Sequence, residues 1–206
     1  MQAVFQGGAS GNYNKMKAFA QDLVEELRDV ADITNSTFQS SIVEFNQSAV
    51  VSSPLNDDPQ DTIDKIDTLA HSRGNTNHQA AILACESTLP TPSSGEKSYI
   101  VLVTDDGPNR CDISAQTNLC ADCSNSNCDS AQEAATNTAT VVKDGGIIML
   151  PVFVGGTVAP AQETINYMDG LSSNDVDTVY TGKSVFVFFC HMNSCVQYMK
   201  SRLFGH

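Results

Sequence analysis

Basic residues are scarce in this chain. Its 206 residues carry 11 Lys and Arg against 24 Asp and Glu, a formal charge of −13. So acidic a surface repels a phosphate backbone and gathers cations, which argues against nucleic acid as a partner. No apolar run approaches the roughly 20 residues of a membrane-spanning helix. The opening "MQAVF" has neither the basic start nor the apolar core of a secretory signal. A soluble protein is expected, with no export route legible in these residues. Several catalytic fingerprints are also missing. There is no Gly, four residues, then Gly-Lys-Ser/Thr, no G-x-G-x-x-G, no Gly-x-Ser-x-Gly and no His-Glu-x-x-His. Nucleotide chemistry and the commoner hydrolase sites therefore lack their residues. A noncatalytic protein is expected.

The length suits one domain with a real core. Seven cysteines, several of them clustered, exceed what a reduced cytosolic domain usually carries and favour an oxidising compartment. Asn-x-Ser/Thr acceptors at Asn35 and Asn46 agree with an extracellular or cell-surface location.

Apolar residues at Met16, Phe19, Ala20, Leu23, Val24 and Leu27 recur every three or four positions, which predicts an amphipathic helix over 13–29. "SSIVEFNQSAVVSS" (40–53) has the composition of a hairpin or bent strand around Asn46-Gln47. A second helix is expected within 56–70, with Asp at its N-cap and Pro just inside, and a third over 77–89. "SYIVLVTDDG" (98–107) is a continuous apolar run ended by turn residues, as in a strand covered on both faces. A helix near 129–143, a buried strand in "IIMLPVFVGG", a short helix near 160–170 and a strand near 176–180 complete the order.

Strands alternating with helices predict an α/β fold, a doubly wound and mostly parallel sheet flanked by helices in three Rossmann-like α/β/α layers. Such sheets bind ligands beyond the carboxyl ends of their strands, where strand order reverses. The loops "GGASGN", "SRGNTN" and "TDDGPN" fall there. Asp105 and Asp106 end a buried strand, and Thr76 and Ser10 add hydroxyl oxygens, the donor type that Mg²⁺ prefers. Each residue also has a purely structural role open to it. Asp before Gly-Pro is ordinary turn chemistry, and Thr76 can cap the next helix. Were the two carboxylates an acid and base pair, they would have to converge, and neighbours on a turn usually point apart. His78 lies near Thr76 with no partner legible.

The order of "VFQGGASGNYNKMKAFAQDLVEEL", "LNDDPQDTIDKIDTLAHSRGNTNHQAAIL", "YIVLVTDDGPN" and "VVKDGGIIMLPVFVGG" resembles a von Willebrand factor type A (VWA) domain over about residues 3–180. The resemblance implies a metal-ion-dependent adhesion site. Its parts are an Asp-x-Ser-x-Ser loop after the first strand, a Thr before the third major helix and an Asp after the fourth strand. Thr76 takes the threonine position, and Asp105 the final aspartate, with Asp106 a close competitor. Gly8 to Asn12 overlays the opening loop, so that Ser10 is kept, Gly8 replaces the aspartate and Asn12 the last serine. Shifting by two puts Gln6 first and leaves Ser10 last. Either register loses the first carboxylate, so the expected site, comprising Ser10, Asn12, Thr76, Asp105 and Asp106, is degenerate, with Mg²⁺ held weakly or not at all. The resemblance further implies a protein or other extracellular macromolecule as partner. The alternatives are a structural domain of a larger extracellular protein and, third, a hydrolase.

Cys111, Cys120, Cys123 and Cys128 lie in a polar insertion over 109–129. Their spacing lacks the two close pairs of a usual zinc site, so disulfides are expected, with the pairing open. Cys85 on an apolar helix face reads as a buried free thiol. The VWA-like part is expected over 1–182. The segment 183–206 has no Asp or Glu, and "VFVFF" within it reads as an extra strand or apolar plug. Cys190 and Cys195 are candidates to pair there, although a helix between them would set them on different faces. The tail and the short first strand are expected to mark the edges of a fragment or of an imperfect gene model.

Overall fold

The computed structural model describes residues 2–5, 10–71, 75–90, 97–111, 128–154, 160–173, 190–191 and 194–195. The main body runs β1 (Gln2–Phe5), α1 (Ser10–Thr34), β2 (Ser40–Phe45), β3 (Ala49–Asn56), α2 (Pro59–Thr68), α3 (His78–Thr88), β4 (Tyr99–Thr104), α4 (Asp129–Asp144), β5 (Ile148–Phe153) and α5 (Gln162–Leu171). Five strands form one sheet in the order β3-β2-β1-β4-β5. All neighbours are parallel except β2 and β3, which form the hairpin expected around Asn46-Gln47. Val4 on the central strand stands between Val43 of β2 and Leu102 of β4.

Alternation along β4 explains the three layers. Val101 and Val103 join Met16, Phe19, Leu23, Ile63 and Ile66 in a core under α1 and α2. Ile100 and Leu102 join Val43, Phe45, Ile82, Ala135, Ala139 and Met149 in a second core under α3, α4 and α5. With side chains alternating along the strand, the unbroken apolar run feeds both faces. The free thiol of Cys85 lies fully buried in the second core.

Local chemistry sets the helix ends. α1 runs past the predicted limit to Thr34, where Asn35 takes a positive φ of 51° and the Ser36 amide returns to the Ala31 carbonyl. Asn tolerates that left-handed turn better than most residues. α2 begins later than its acidic run because β3 extends through Asn56. Asp58 then caps it, accepting from the Gln60 and Asp61 amides, with Pro59 in the first turn.

Cys111 and Cys128 are each engaged in a disulfide, and Cys120 and Cys123 lie outside the described residues. The strand expected near 176–180, the "VFVFF" run and the change of character at 183 also lie outside them. Cys190–His191 (β6) and Ser194–Cys195 (β7) pair as a short antiparallel ladder with Cys190 opposite Cys195, in place of the helix considered between them.

Candidate functional site

Strand order reverses at β1. The chain moves to β2 and β3 on one side and returns to β4 and β5 on the other. The crevice at the carboxyl ends of β1 and β4 is therefore the topological switch point. Asp105 directly follows β4, β1 ends at Phe5 and α1 begins at Ser10.

The Asn12 side-chain amide donates from Nδ2 to Asp105 Oδ2 at 3.2 Å. The other carboxylate oxygen, Oδ1, is buried and has no hydrogen-bond partner among the described residues. Burial pushes the Asp105 carboxyl up from its ordinary value, and this outweighs the lowering by the Asn12 hydrogen bond and by nearby His71. His71 also meets Tyr13, with ring centroids 5.2 Å apart. His71 Nε2 and the Tyr13 hydroxyl are likewise buried and unpartnered. Buried polar atoms are normally satisfied, which sets these three apart among the described residues.

Thr76 is buried and stitched in by its backbone. Its amide donates to Asn109 Oδ1 at 2.7 Å, and its carbonyl accepts from the Asn109 and Arg110 amides at 3.0 and 3.1 Å. Asn77 continues the seam. Its amide donates to the Asn46 carbonyl, its Nδ2 to the Gln47 carbonyl, and its Oδ1 caps α3 by accepting from the Ala80 amide. The Thr76–Asn77 segment thus bridges the β2–β3 hairpin and the loop after β4.

Of the predicted residues, Asn12 and Asp105 meet, and Thr76 is tied to Asn109 and Arg110 in the loop that follows them. Ser10 is the first residue of α1, two positions before Asn12, and its side chain lies outside the described residues. Asp106 does something else. Its side chain is exposed and accepts from the Gly107 amide, and its backbone is held by the Thr104 hydroxyl. The two neighbouring acids have different partners, the Asn12 side chain for Asp105 and the Gly107 amide for Asp106. His78, which showed no partner in the sequence, has two. Its Nδ1 lies 2.8 Å from the Tyr167 hydroxyl and its Nε2 3.2 Å from Thr104 Oγ1. Asn109, Tyr13, His71 and Tyr167 carried no signal that sequence reasoning could use, because each acts through a partner distant in the chain.

Residues 7–158 match the family model of the von Willebrand factor type A domain. The chain belongs to that family. Its solved structural relatives include proximal thread matrix protein 1 (PTMP1) of the mussel byssus, at 16% identity and a TM-score of 0.58, over 84% of this chain and 40% of that one. The VWA domain here thus spans well under half the length of PTMP1. Another PTMP1 structure, described as having a zinc-occupied metal-ion-dependent adhesion site, gives 18% identity and a TM-score of 0.56, over 84% and 38% of the two chains. The domain of the type V pili tip protein Mfa5 from Porphyromonas gingivalis gives 13% and 0.60, over 84% and 85%. The pilus adhesin SpaC from Lactobacillus rhamnosus GG gives 15% and 0.58, over 84% and 26%. At these identities the likeness is one of fold. No curated protein sequence matches the chain.

A VWA adhesion site implies a divalent cation, and the residues present can be tested against it. Magnesium takes a near-octahedral shell of oxygens. Asp105 offers one unpartnered oxygen, while its other oxygen is engaged by an amide N–H. Residues 2–14 contain no Asp or Glu, so the opening loop adds no second carboxylate. Among the described residues no three His, Cys, Asp or Glu gather to hold a metal ion.

Proposed function

We propose that this VWA domain is a noncatalytic protein-binding module of the extracellular space or cell surface. It recognises a macromolecular partner at the C-terminal edge of its sheet, around Asn12, Thr76, Asp105 and Asp106, with weak or absent dependence on divalent metal. The contact that carries the reading is the one between Asn12 and Asp105, which brings two crossover loops together at the switch point. Among the fold relatives are a pili tip protein and a pilus adhesin, which agrees with adhesion. Where a cation would otherwise bridge two acidic surfaces, this edge offers hydrogen-bonding groups and an exposed Asp106. The acidic balance of the chain favours a partner with basic character at its contact surface. A second reading, a structural domain of a larger extracellular protein, is favoured by the likeness to a byssal thread matrix protein more than twice as long.

Capture of extracellular partners by the immobilised chain, with and without EDTA, tests the proposal. Capture is expected to survive EDTA and to be lost in Asp106→Arg, an exposed change that leaves the core untouched. Capture unchanged in Asp106→Arg would move the binding surface elsewhere, and no capture at all would leave the structural reading. Titration calorimetry on chelator-stripped protein addresses the metal. Tight one-to-one binding of Mg²⁺ or Mn²⁺ would overturn the weak-metal part.

A further inference from the structure

His78 opens α3 two residues after Thr76 and is fully buried. Its ring stacks on Tyr167 at 5.8 Å with planes 11° apart, and meets Phe45 edge-on at 5.6 Å. A polar ring in such a place has to be satisfied at both nitrogens, and the partners allow only one arrangement of protons.

The assignment starts at Thr104. Its hydroxyl lies 2.8 Å from the Asp106 carbonyl oxygen, which can only accept, so the single hydroxyl proton goes there. Thr104 Oγ1 is then an acceptor toward the Asp106 amide at 3.3 Å and His78 Nε2 at 3.2 Å. Nε2 must therefore carry the ring proton. A neutral imidazole has only one, so Nδ1 accepts, and the Tyr167 hydroxyl donates to it at 2.8 Å. Every step has one direction, from Tyr167 O–H to His78 Nδ1, from His78 Nε2–H to Thr104 Oγ1, and from Thr104 O–H to the Asp106 carbonyl.

We infer that His78 is a positioning residue, a neutral Nε2-protonated relay through which Tyr167 on α5 fixes the turn that presents Asp105. The relay ends in a clasp. Thr104 Oγ1 holds both the amide and the carbonyl of Asp106, so the peptide groups on either side of Asp106, the first of which it shares with Asp105, are anchored from the α3 and α5 face, while Asn12 holds the Asp105 carboxylate from α1. Three elements that sequence separates by dozens of residues thereby determine where one carboxylate stands. The functional consequence rests on the binding edge proposed above. The relay itself does not.

Imidazole ¹⁵N correlation spectra of the whole chain read the tautomer directly, and amide hydrogen exchange reads the turn. Wild type is expected to show His78 protonated at Nε2 alone. Tyr167→Phe keeps the ring stack and removes the donor. It is expected to release the tautomer into a mixture and to speed exchange at Asp106 and Gly107 by about fivefold to tenfold, the loss of roughly one hydrogen bond, with Leu150 in β5 unchanged. Thr104→Ser keeps the hydroxyl and is expected to retain both signatures, whereas Thr104→Val loses both. A wild-type ring protonated at Nδ1 overturns the inference even if no variant folds. So does unchanged exchange at Asp106 and Gly107 in a Tyr167→Phe protein whose tautomer has moved. Neither readout needs a partner. Failure of the relay would therefore leave capture intact, and failure of capture would leave the relay standing.

Discussion

Asn12 and Asp105 are 93 residues apart in the chain, and their side chains meet at 3.2 Å across the switch point of the sheet. One stands in the first turn of α1 and the other just beyond β4, so the contact forms only once β1 and β4 lie side by side. It joins a neutral amide to a carboxylate that keeps one oxygen buried without a partner among the described residues. Burying that oxygen unpaired is a cost to the fold.

Replacing Asp105 by Asn tests the cost. Burial raises its folded carboxyl above the unfolded value near 4, so the folded state holds its proton more tightly. Stability then falls as pH rises through that window and stays lower above it. Asp105→Asn removes the charge and keeps an oxygen for the Asn12 amide. Its thermal midpoint is expected to lie about 2 °C above wild type at pH 7, with no difference at pH 3. Circular dichroism melts at both pH values measure it, and a lower midpoint at pH 7 would contradict the assignment.

His78 gives the opposite slope. Burial lowers its folded value to about 3, while an unfolded histidine titrates near 6.5. The unfolded state binds the extra proton between those values. Its contribution is thus constant above about 6.5 and declines as pH falls toward 3, by at most about 1.4 kcal/mol per pH unit. Urea unfolding at pH 7.5, 6 and 5 is expected to show wild type losing stability relative to His78→Gln as the solution is acidified. Parallel profiles would mean that the ring is not buried neutral.

A buried hydroxyl pair locks α2 to the sheet. Ser40 Oγ and Thr62 Oγ1 are 2.7 Å apart and both residues are buried. Thr62→Val strands the serine, at an expected cost of about 1–3 kcal/mol in denaturant unfolding. Adding Ser40→Ala should recover part of that loss, because no orphaned group remains. If the double variant is worse than the single one, the pair is not coupled as described.

The cap of α2 is worth a smaller amount. Asp58 accepts from the Gln60 amide at 2.9 Å and the Asp61 amide at 3.3 Å. Asp58→Ala is expected to cost about 1 kcal/mol and Asp58→Asn only a fraction of it. Equal losses for the two would point to the charge rather than to the acceptor.

Much of the fold was legible because its signals are local. The spacing of Met16, Phe19, Leu23 and Leu27 marks one face of a helix, and the Ile-Val-Leu-Val run at 100–103 marks a strand buried on both sides. Pro59 and Asp58 marked the start of α2 for the same reason. The limits of α1 were harder, since a left-handed Asn35 rather than a loss of apolar period ends it. The family pattern named Ser10, Asn12, Thr76, Asp105 and Asp106 as candidates, and the structure joins two of them, Asn12 and Asp105, by a hydrogen bond. The doubled acid left its register open, and the backbone after β4 separates the two, turning Asp105 toward Asn12 and Asp106 toward its own turn.

The sequence by itself determined which segments become helices and strands, that both faces of the sheet are covered, and that the opening loop brings no carboxylate. Periodicity, capping and composition act within a few residues and need no knowledge of the rest. Only the tertiary structure decided which partner each polar group has. Asn12 reaches Asp105, Thr76 is held by Asn109, and His78 is placed between Tyr167 and Thr104. Those pairings depend on strand order and crossover, which bring distant residues within 3 Å or so of one another, and hydrogen bonds distinguish partners only at that range.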